Sequence, residues 1–182
     1  MAGELSFRTS SSDTPAKATW RRERYLAAMA LAITPVTVVT TDGPAGRSGQ
    51  TISAMCSIST EPPTLLVSVN RRSPLCEVIG ANGVFAVNLL SPRQAEVSDS
   101  FAGRPNDGSP YNFERESWMI RATGSPVLTA ATAIFDCELQ ELVDAATHRI
   151  FIGKVLDSYS WPGESLAYRL QRYGSHRPLK TS

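Results

Sequence analysis

Cysteine is scarce in this chain. The three residues, Cys56, Cys76 and Cys137, lie far apart and form no C-x-x-C pair. With only two histidines they cannot complete a zinc set, so no metal site is expected. An odd count without spacing points to a reducing compartment. Charge is also sparse: 19% of residues, against about 25% in ordinary domains. That fits a surface partly covered by a partner subunit, or simply an abundance of Ser and Thr. The net charge is +1 and no basic stripe stands out, which argues against a nucleic-acid face. No apolar run reaches membrane-spanning length. The opening Met1-Ala-Gly-Glu-Leu-Ser-Phe7 carries an acid and no continuous apolar core, so no signal peptide is expected and a soluble cytoplasmic protein is the default. The common nucleotide and hydrolase motifs are missing as well. There is no G-x-x-x-x-G-K-[ST], no G-x-G-x-x-G after a strand, no H-E-x-x-H and no G-x-S-x-G; a Rossmann cradle is excluded and nothing favours a hydrolytic triad.

What is present reads as one mainly β domain of 182 residues, enough for a sizeable core. Residues 1–16 are Ser/Thr-rich without periodicity and are expected to be a disordered arm. The domain is expected over 17–176, with a tail over 177–182. Apolar residues Tyr25, Leu26, Met29 and Ile33 predict one face of a helix from Trp20 to Ile33, stopped by Pro35. Arg21, Arg22 and Arg24 would form its solvated face. Val36–Thr41 is β-branched and predicts a strand. Two more are expected over 48–58 and 64–69, then a helix from Ser73-Pro74 to Asn82-Gly83. A strand over 84–90 is followed by Ser91-Pro-Arg-Gln94, a second helix start with a capping-box pattern. Residues 104–117 read as a long polar loop. Strands are expected near 133–139, 149–155 and 166–173. Six or seven strands in hairpin order, with two or three short helices, argue for an antiparallel barrel rather than a doubly wound sheet.

The segment from Arg47 to Pro74 carries the most chemistry. Its middle, Gly49-Gln-Thr-Ile-Ser-Ala-Met-Cys-Ser57, is small and hydroxylated, and it closes on Asn70-Arg-Arg-Ser73. Small residues admit a flat ligand close to the backbone. Hydroxyls, an amide and guanidiniums suit a phosphate-bearing ligand. The bland reading of Thr51–Ser57 is a barrel strand with core-facing small residues. Asn70–Ser73 also reads as a turn capping a helix, a role compatible with holding an anion, with Arg71 or Arg72 as the charge partner. Cys56 has no base or cation near it in sequence, and reads as a small packed residue rather than a nucleophile.

Taken in order, Thr34-Pro-Val-Thr-Val-Val-Thr-Thr41, Gly49–Ser59, Glu61-Pro-Pro63, Val69-Asn-Arg-Arg-Ser73, Phe85-Ala-Val-Asn-Leu-Leu90 and Phe101-Ala-Gly103 resemble the short-chain flavin reductases, the reductase components of two-component flavin monooxygenases. Gly124-Ser-Pro126, His148–Gly153 and Leu166–Arg169 also fit. The resemblance spans roughly residues 20 to 175. It implies an FMN-binding split β-barrel with Greek-key topology, a homodimer, FMN or FAD near the subunit interface, and NADH or NADPH as hydride donor. Reduced flavin would pass to a partner monooxygenase. Flavin-contacting positions fall on Thr51, Ser53, Ala54, Cys56 and Ser57, on Asn70, Arg71 and Ser73, and on Phe101, Ala102 and Gly103. His148 falls where the family has a histidine near the nicotinamide and flavin rings, though it also reads as a surface residue. Tyr168, Tyr173 and Trp161 are amphipathic aromatics suited to a dimer interface.

Three positions depart from the family pattern. Pro35 stands for a usual Gly. Gln50-Thr-Ile-Ser53 replaces a usual Met-Thr-Ala-Ser. Ala146-Thr-His148 replaces Gly-Asp-His. Ile52 would narrow the pocket if its side chain faced the flavin, and change nothing if it faced the core. A missing acid before His148 would leave that ring less strictly oriented. The leading expectation is therefore an NAD(P)H:flavin oxidoreductase. Its rivals are a flavin-binding protein without turnover, or a reductase of another small substrate on tightly held flavin.

Overall fold

The computed structural model describes residues 3–4 and 14–179; the expected N-terminal arm and the end of the tail otherwise lie outside the described residues. The elements, in chain order, begin with β1 (Gly3–Glu4), α1 (Pro15–Met29), β2 (Thr34–Pro35), β3 (Thr37–Thr41), β4 (Ser48–Ile52) and β5 (Met55–Thr60). Next come β6 (Pro63–Asn70), α2 (Pro74–Asn82), β7 (Val84–Leu89), a 3₁₀ turn (Pro92–Gln94) and α3 (Ala95–Phe101). The chain continues through β8 (Trp118–Ile120), β9 (Pro126–Leu128), β10 (Ala133–Ala145), β11 (His148–Ser160), β12 (Leu166–Arg169) and β13 (Arg172–Ser175). The class is mainly β with short helices, as the hairpin order of the strands predicts.

Eight strands form one sheet: seven run in the order β4-β3-β7-β10-β11-β6-β5, and β1 pairs with β10 off this path. The pairs along the path are antiparallel, and β1 joins β10 in parallel. β4 and β5 sit at opposite ends of this path, yet only Ser53 and Ala54 separate them in sequence. Extended chain covers at most about 3.6 Å per residue. The two ends of the sheet must therefore come within roughly 10 Å of each other at this corner, so the sheet curls into a barrel. β4 and β5 do not pair with each other, and the barrel is split along that line.

Two apolar clusters flank the curled sheet. The first joins Val39, Ile52, Leu65, Val67, Phe85, Val87 and Phe151 to Leu75, Cys76 and Ile79 of α2. The second joins Val36, Val38, Ala86, Leu90 and Ile134 to Val97 and Phe101 of α3 and to Val127 and Leu128 of β9. Neighbours such as Val38 and Val39, or Ala86 and Val87, serve opposite faces, as the two-residue strand period requires. β3 is buried along its whole length, which suits its Thr-Val-Val-Thr-Thr composition.

Local signals account for the helices. Ser73 caps α2 by accepting from Leu75 N at 3.2 Å, Pro74 occupies its first turn, and Gly83 ends it in the left-handed region (φ 70°). Ser91 and Gln94 form the predicted capping box, with Ser91 N donating to Gln94 Oε1 at 2.9 Å. Gly49 lets α3 lie against β4: a Cβ there would stand 2.9 Å from a Phe101 ring carbon.

Four expectations need correction. The first helix runs over Pro15–Met29, not Trp20–Ile33, because Pro15 starts it one turn earlier than the apolar stripe suggests. Its stripe is not buried in this chain: Tyr25, Leu26 and Met29 are exposed. The strand expected over 48–58 breaks at Ser53-Ala54 into β4 and β5. The strand expected over 166–173 is a hairpin, β12–β13, turning at Leu170 (φ 50°) and Gln171 (φ 60°). Positive φ at both turn residues is the habit of Asn and Gly, so nothing at Leu-Gln signals it. The short pair β8–β9 also escaped the strand pattern, being three residues each with a proline in one. No helix among the described residues is long and apolar enough to cross a membrane.

Candidate functional site

The expected site residues fall into two groups on opposite faces of β4. Thr51 shares its face with Gly49, beneath α3; Gln50 and Ile52 point the other way, toward α2 and the first cluster. Ile52 is 7% exposed and packs with Val39, Leu65 and Val67. It belongs to the core and does not narrow a pocket.

The first group surrounds a cavity of about 180 Å³ lined by Val36, Thr51, Ser53, Ser98, Ala102, Arg104, Tyr168 and Tyr173. Three walls meet there. β4 contributes Thr51, whose hydroxyl donates to the Ser98 main-chain carbonyl at 2.7 Å. The C-terminal hairpin contributes Tyr173, whose hydroxyl lies 2.7 Å from Asp99 Oδ1 and 3.0 Å from Ser98 Oγ. The Tyr173 ring stacks edge-on against Tyr168, with centroids 5.5 Å apart. α3 contributes Ser98 and Ala102, and Arg104 follows it, its guanidinium 4.0 Å from Asp99. Burial is the main cause of the raised pKa of Tyr173, so its hydroxyl keeps its proton.

Phe101 does not line this cavity. It is 1% exposed and packs edge-on against Phe113 and Trp118, with centroids 4.9 and 5.6 Å away. Gly103 has φ 74°, and a Cβ there would meet the Tyr111 hydroxyl at 2.7 Å; glycine is needed to turn the chain out of α3. Val36, Ser98 and Arg104 are cavity residues that sequence reasoning did not single out. Tyr168 and Tyr173 were expected at a subunit interface rather than here.

The second group surrounds an open cleft of about 520 Å³ lined by Asn70, Arg71, Arg72, Ala146 and Thr147. Asn70 Oδ1 accepts from Arg72 N at 2.9 Å, and Arg71 N donates to Thr147 O at 3.0 Å. His148 pairs with Asn70 across β11 and β6 and meets Thr147, Nδ1 to Oγ1, at 2.9 Å. Asp144 holds Arg149 in a two-point contact of 2.6 and 3.0 Å. That hydrogen bond is the main reason its carboxyl sits below the usual range. Asp144 also lies 3.6 Å from Arg71. Arg71 is thus shared with an acid, while no acidic side chain among the described residues pairs with Arg72. Ser73 is turned inward: its hydroxyl caps α2 and donates to Gln50 Oε1.

Ala54, in the corner before β5, and Cys56 and Ser57, on β5, lie at the split, and all three are exposed. Cys56 is therefore not packed within this chain, contrary to expectation. The other thiols are inert for a different reason: burial raises Cys76 and pushes Cys137 up to about 12.

The donor set fits a flavin. Tyr168, Val36 and Ala102 offer flat and apolar surface for a ring, and Thr51 and Ser53 offer hydroxyls. Arg72, Arg71 and the start of a nine-residue helix offer positive charge for a phosphate. Residues 29–176 match the flavin reductase like domain. The chain is 40% identical over 153 residues to the FMN reductase (NADH) RutF of Ancylobacter novellus, covering 84% of this chain and 83% of that protein. A putative flavin reductase from Haemophilus somnus superposes with a TM-score of 0.78 at 37% identity, over 85% of this chain and 98% of that one. The styrene monooxygenase flavin reductase of Pseudomonas putida S12 superposes with a TM-score of 0.74 at 31% identity, over 85% and 99%. This chain belongs to the flavin reductase like family.

Proposed function

We propose that this chain is an NAD(P)H:flavin oxidoreductase that reduces FMN or FAD by hydride transfer and supplies the reduced flavin to a partner monooxygenase. The observation that carries this reading is the three-walled cavity at the barrel split, in a chain of this family. Relatives named as an NADH-dependent FMN reductase and as a monooxygenase flavin reductase support NADH, a flavin and an oxygenase partner. Flavin supplies the electron-accepting ring, so the protein needs to bind and orient rather than to perform acid–base work.

In this reading Thr51, Ser53, Ala102 and Tyr168 receive the ring. Asn70, Arg71 and Arg72 receive the phosphate, and Ser73 holds their loop. Phe101 and Gly103 act on the ring wall from behind, by packing and by backbone shape. A flavin touching both groups passes the open corner between β4 and β5, beside Ala54, Cys56 and Ser57. His148, next to the phosphate loop, orients the incoming nicotinamide. With Thr147 in place of an acid, it acts by contact rather than by charge relay.

A cavity of about 180 Å³ is below the ~300 Å³ at which pockets begin to enclose whole ligands. A second copy of the chain completing the wall accounts for this, so we infer a homodimer in the cytoplasm built from the domain over 17–176. The unpaired edge of β5 and the exposed Ile58, Tyr25, Leu26 and Met29 are its surfaces. Purified protein is expected to oxidise NADH on addition of FMN and not without flavin. Absence of flavin-dependent oxidation with either nicotinamide nucleotide overturns the reading.

A further inference from the structure

Thr51 has one hydroxyl proton, and the protein uses it. Its Oγ1 lies 2.7 Å from the carbonyl oxygen of Ser98. A carbonyl can only accept, so the hydroxyl donates. Ser98 is 1% exposed, and its carbonyl is offered no competing donor by solvent. The same carbonyl also accepts from Ala102 N at 2.9 Å, so Thr51 fills its second lone pair, and turning the proton toward a ligand would give up a bond already made. Thr51 itself stays partly exposed and lines the cavity. What it presents there is lone pairs alone. Tyr173 is committed in the same way. Its single proton goes to Asp99 at 2.7 Å, since that carboxylate only accepts, and in the 3.0 Å contact the Ser98 hydroxyl therefore donates to it, so Tyr173 has no proton left for a ligand.

We propose that Thr51 is a specificity-determining residue that accepts a hydrogen bond from a ring N–H of the bound flavin and does not donate to a ring carbonyl. The inference rests on the reading that the cavity holds the flavin ring. Two ring atoms offer that chemistry. N3 carries a proton in both redox states. N5 carries one only after reduction, and in oxidised flavin its lone pair opposes that of Thr51. In the second case the site favours reduced over oxidised flavin.

The test is anaerobic equilibrium binding, followed by flavin fluorescence or absorbance, with no turnover. FMN and 3-methyl-FMN are compared in the oxidised state, and FMN is compared in both redox states, on the unaltered protein, Thr51→Ser and Thr51→Val. Thr51→Ala stands in should Thr51→Val not fold. The unaltered protein and Thr51→Ser are expected to discriminate roughly fivefold to tenfold, the range of one hydrogen bond. They do so either against 3-methyl-FMN or in favour of reduced FMN, and Thr51→Val abolishes the discrimination. An N3 contact gives the first pattern and an N5 contact the second. Discrimination that survives in Thr51→Val, or equal binding of all three ligand forms by the unaltered protein, overturns the proposal. Failure of FMN to bind in any form overturns the flavin reading, and the proposal with it.

Discussion

The Ser73 hydroxyl faces two partners at once: it accepts from the main-chain N–H of Leu75 at 3.2 Å and donates to Oε1 of Gln50. One oxygen thereby ties the start of α2 to β4 and holds the loop that carries Arg71 and Arg72. Gln50 stands where the family commonly has Met. The departure in this motif therefore acts through residue 50, on the α2 side of the strand, and not through Ile52.

Ser73→Ala removes both contacts. It is expected to destabilise the protein by about 1 kcal/mol, the usual cost of a lost N-cap, read as a lower denaturant midpoint at unchanged slope. Gln50→Met, which restores the family residue and keeps the cap, is expected to lose less. A larger loss for Gln50→Met contradicts the role given to Ser73.

Arg72→Ala is expected to weaken FMN binding by roughly tenfold or more, as loss of a charge-assisted contact does. Riboflavin, which lacks the phosphate, should bind the variant and the unaltered protein alike. Arg71→Ala should cost less, because Asp144 already shares that guanidinium. A riboflavin defect equal to the FMN defect would show that Arg72 acts on the fold or on the ring.

Ile52→Val is expected to cost about 0.5–1.5 kcal/mol of stability and Ile52→Ala about 2–5 kcal/mol, because the side chain is core. FMN affinity should stay within twofold for Ile52→Val. A gain in affinity on shortening the side chain would mean that it does press on the flavin.

Asp144 gives a pH signature. Its native pKa is lowered, chiefly by the hydrogen bond from Arg149, from an ordinary value of 3.8. A lowered carboxyl stabilises the fold above the unfolded pKa and stops doing so as pH falls through the native one. Unaltered protein should thus exceed Asp144→Asn in thermal midpoint at pH 6–7, and the gap should close below about pH 4. A gap independent of pH contradicts the assignment.

Much of this was legible in the residues, and the exceptions have physical reasons. Ser73-Pro74 and Asn82-Gly83 marked α2 almost to the residue, because caps are local chemistry. The β-branched run 36–41 marked a strand, found over 37–41, because β-branched side chains favour extended backbone. The stripe Tyr25-Leu26-Met29 identified a face of α1 but not what covers it, since periodicity carries no information about a partner surface. The hairpin at Leu170-Gln171 was invisible, because its positive φ values are imposed by strand pairing rather than by turn residues. In the site, Thr51, Ser53 and Ala102 line one cavity. Tyr173 was not tied to them, because the C-terminal hairpin that carries it lies more than 60 residues beyond Arg104 in sequence.

The most direct measurement is a steady-state matrix of NADH and NADPH against FMN, FAD and riboflavin, with purified protein and each component omitted in turn. The account predicts nicotinamide oxidation that depends strictly on added flavin, saturates in it, and is strongest with NADH and FMN. Flavin-independent oxidation, or none in any cell of the matrix, contradicts it.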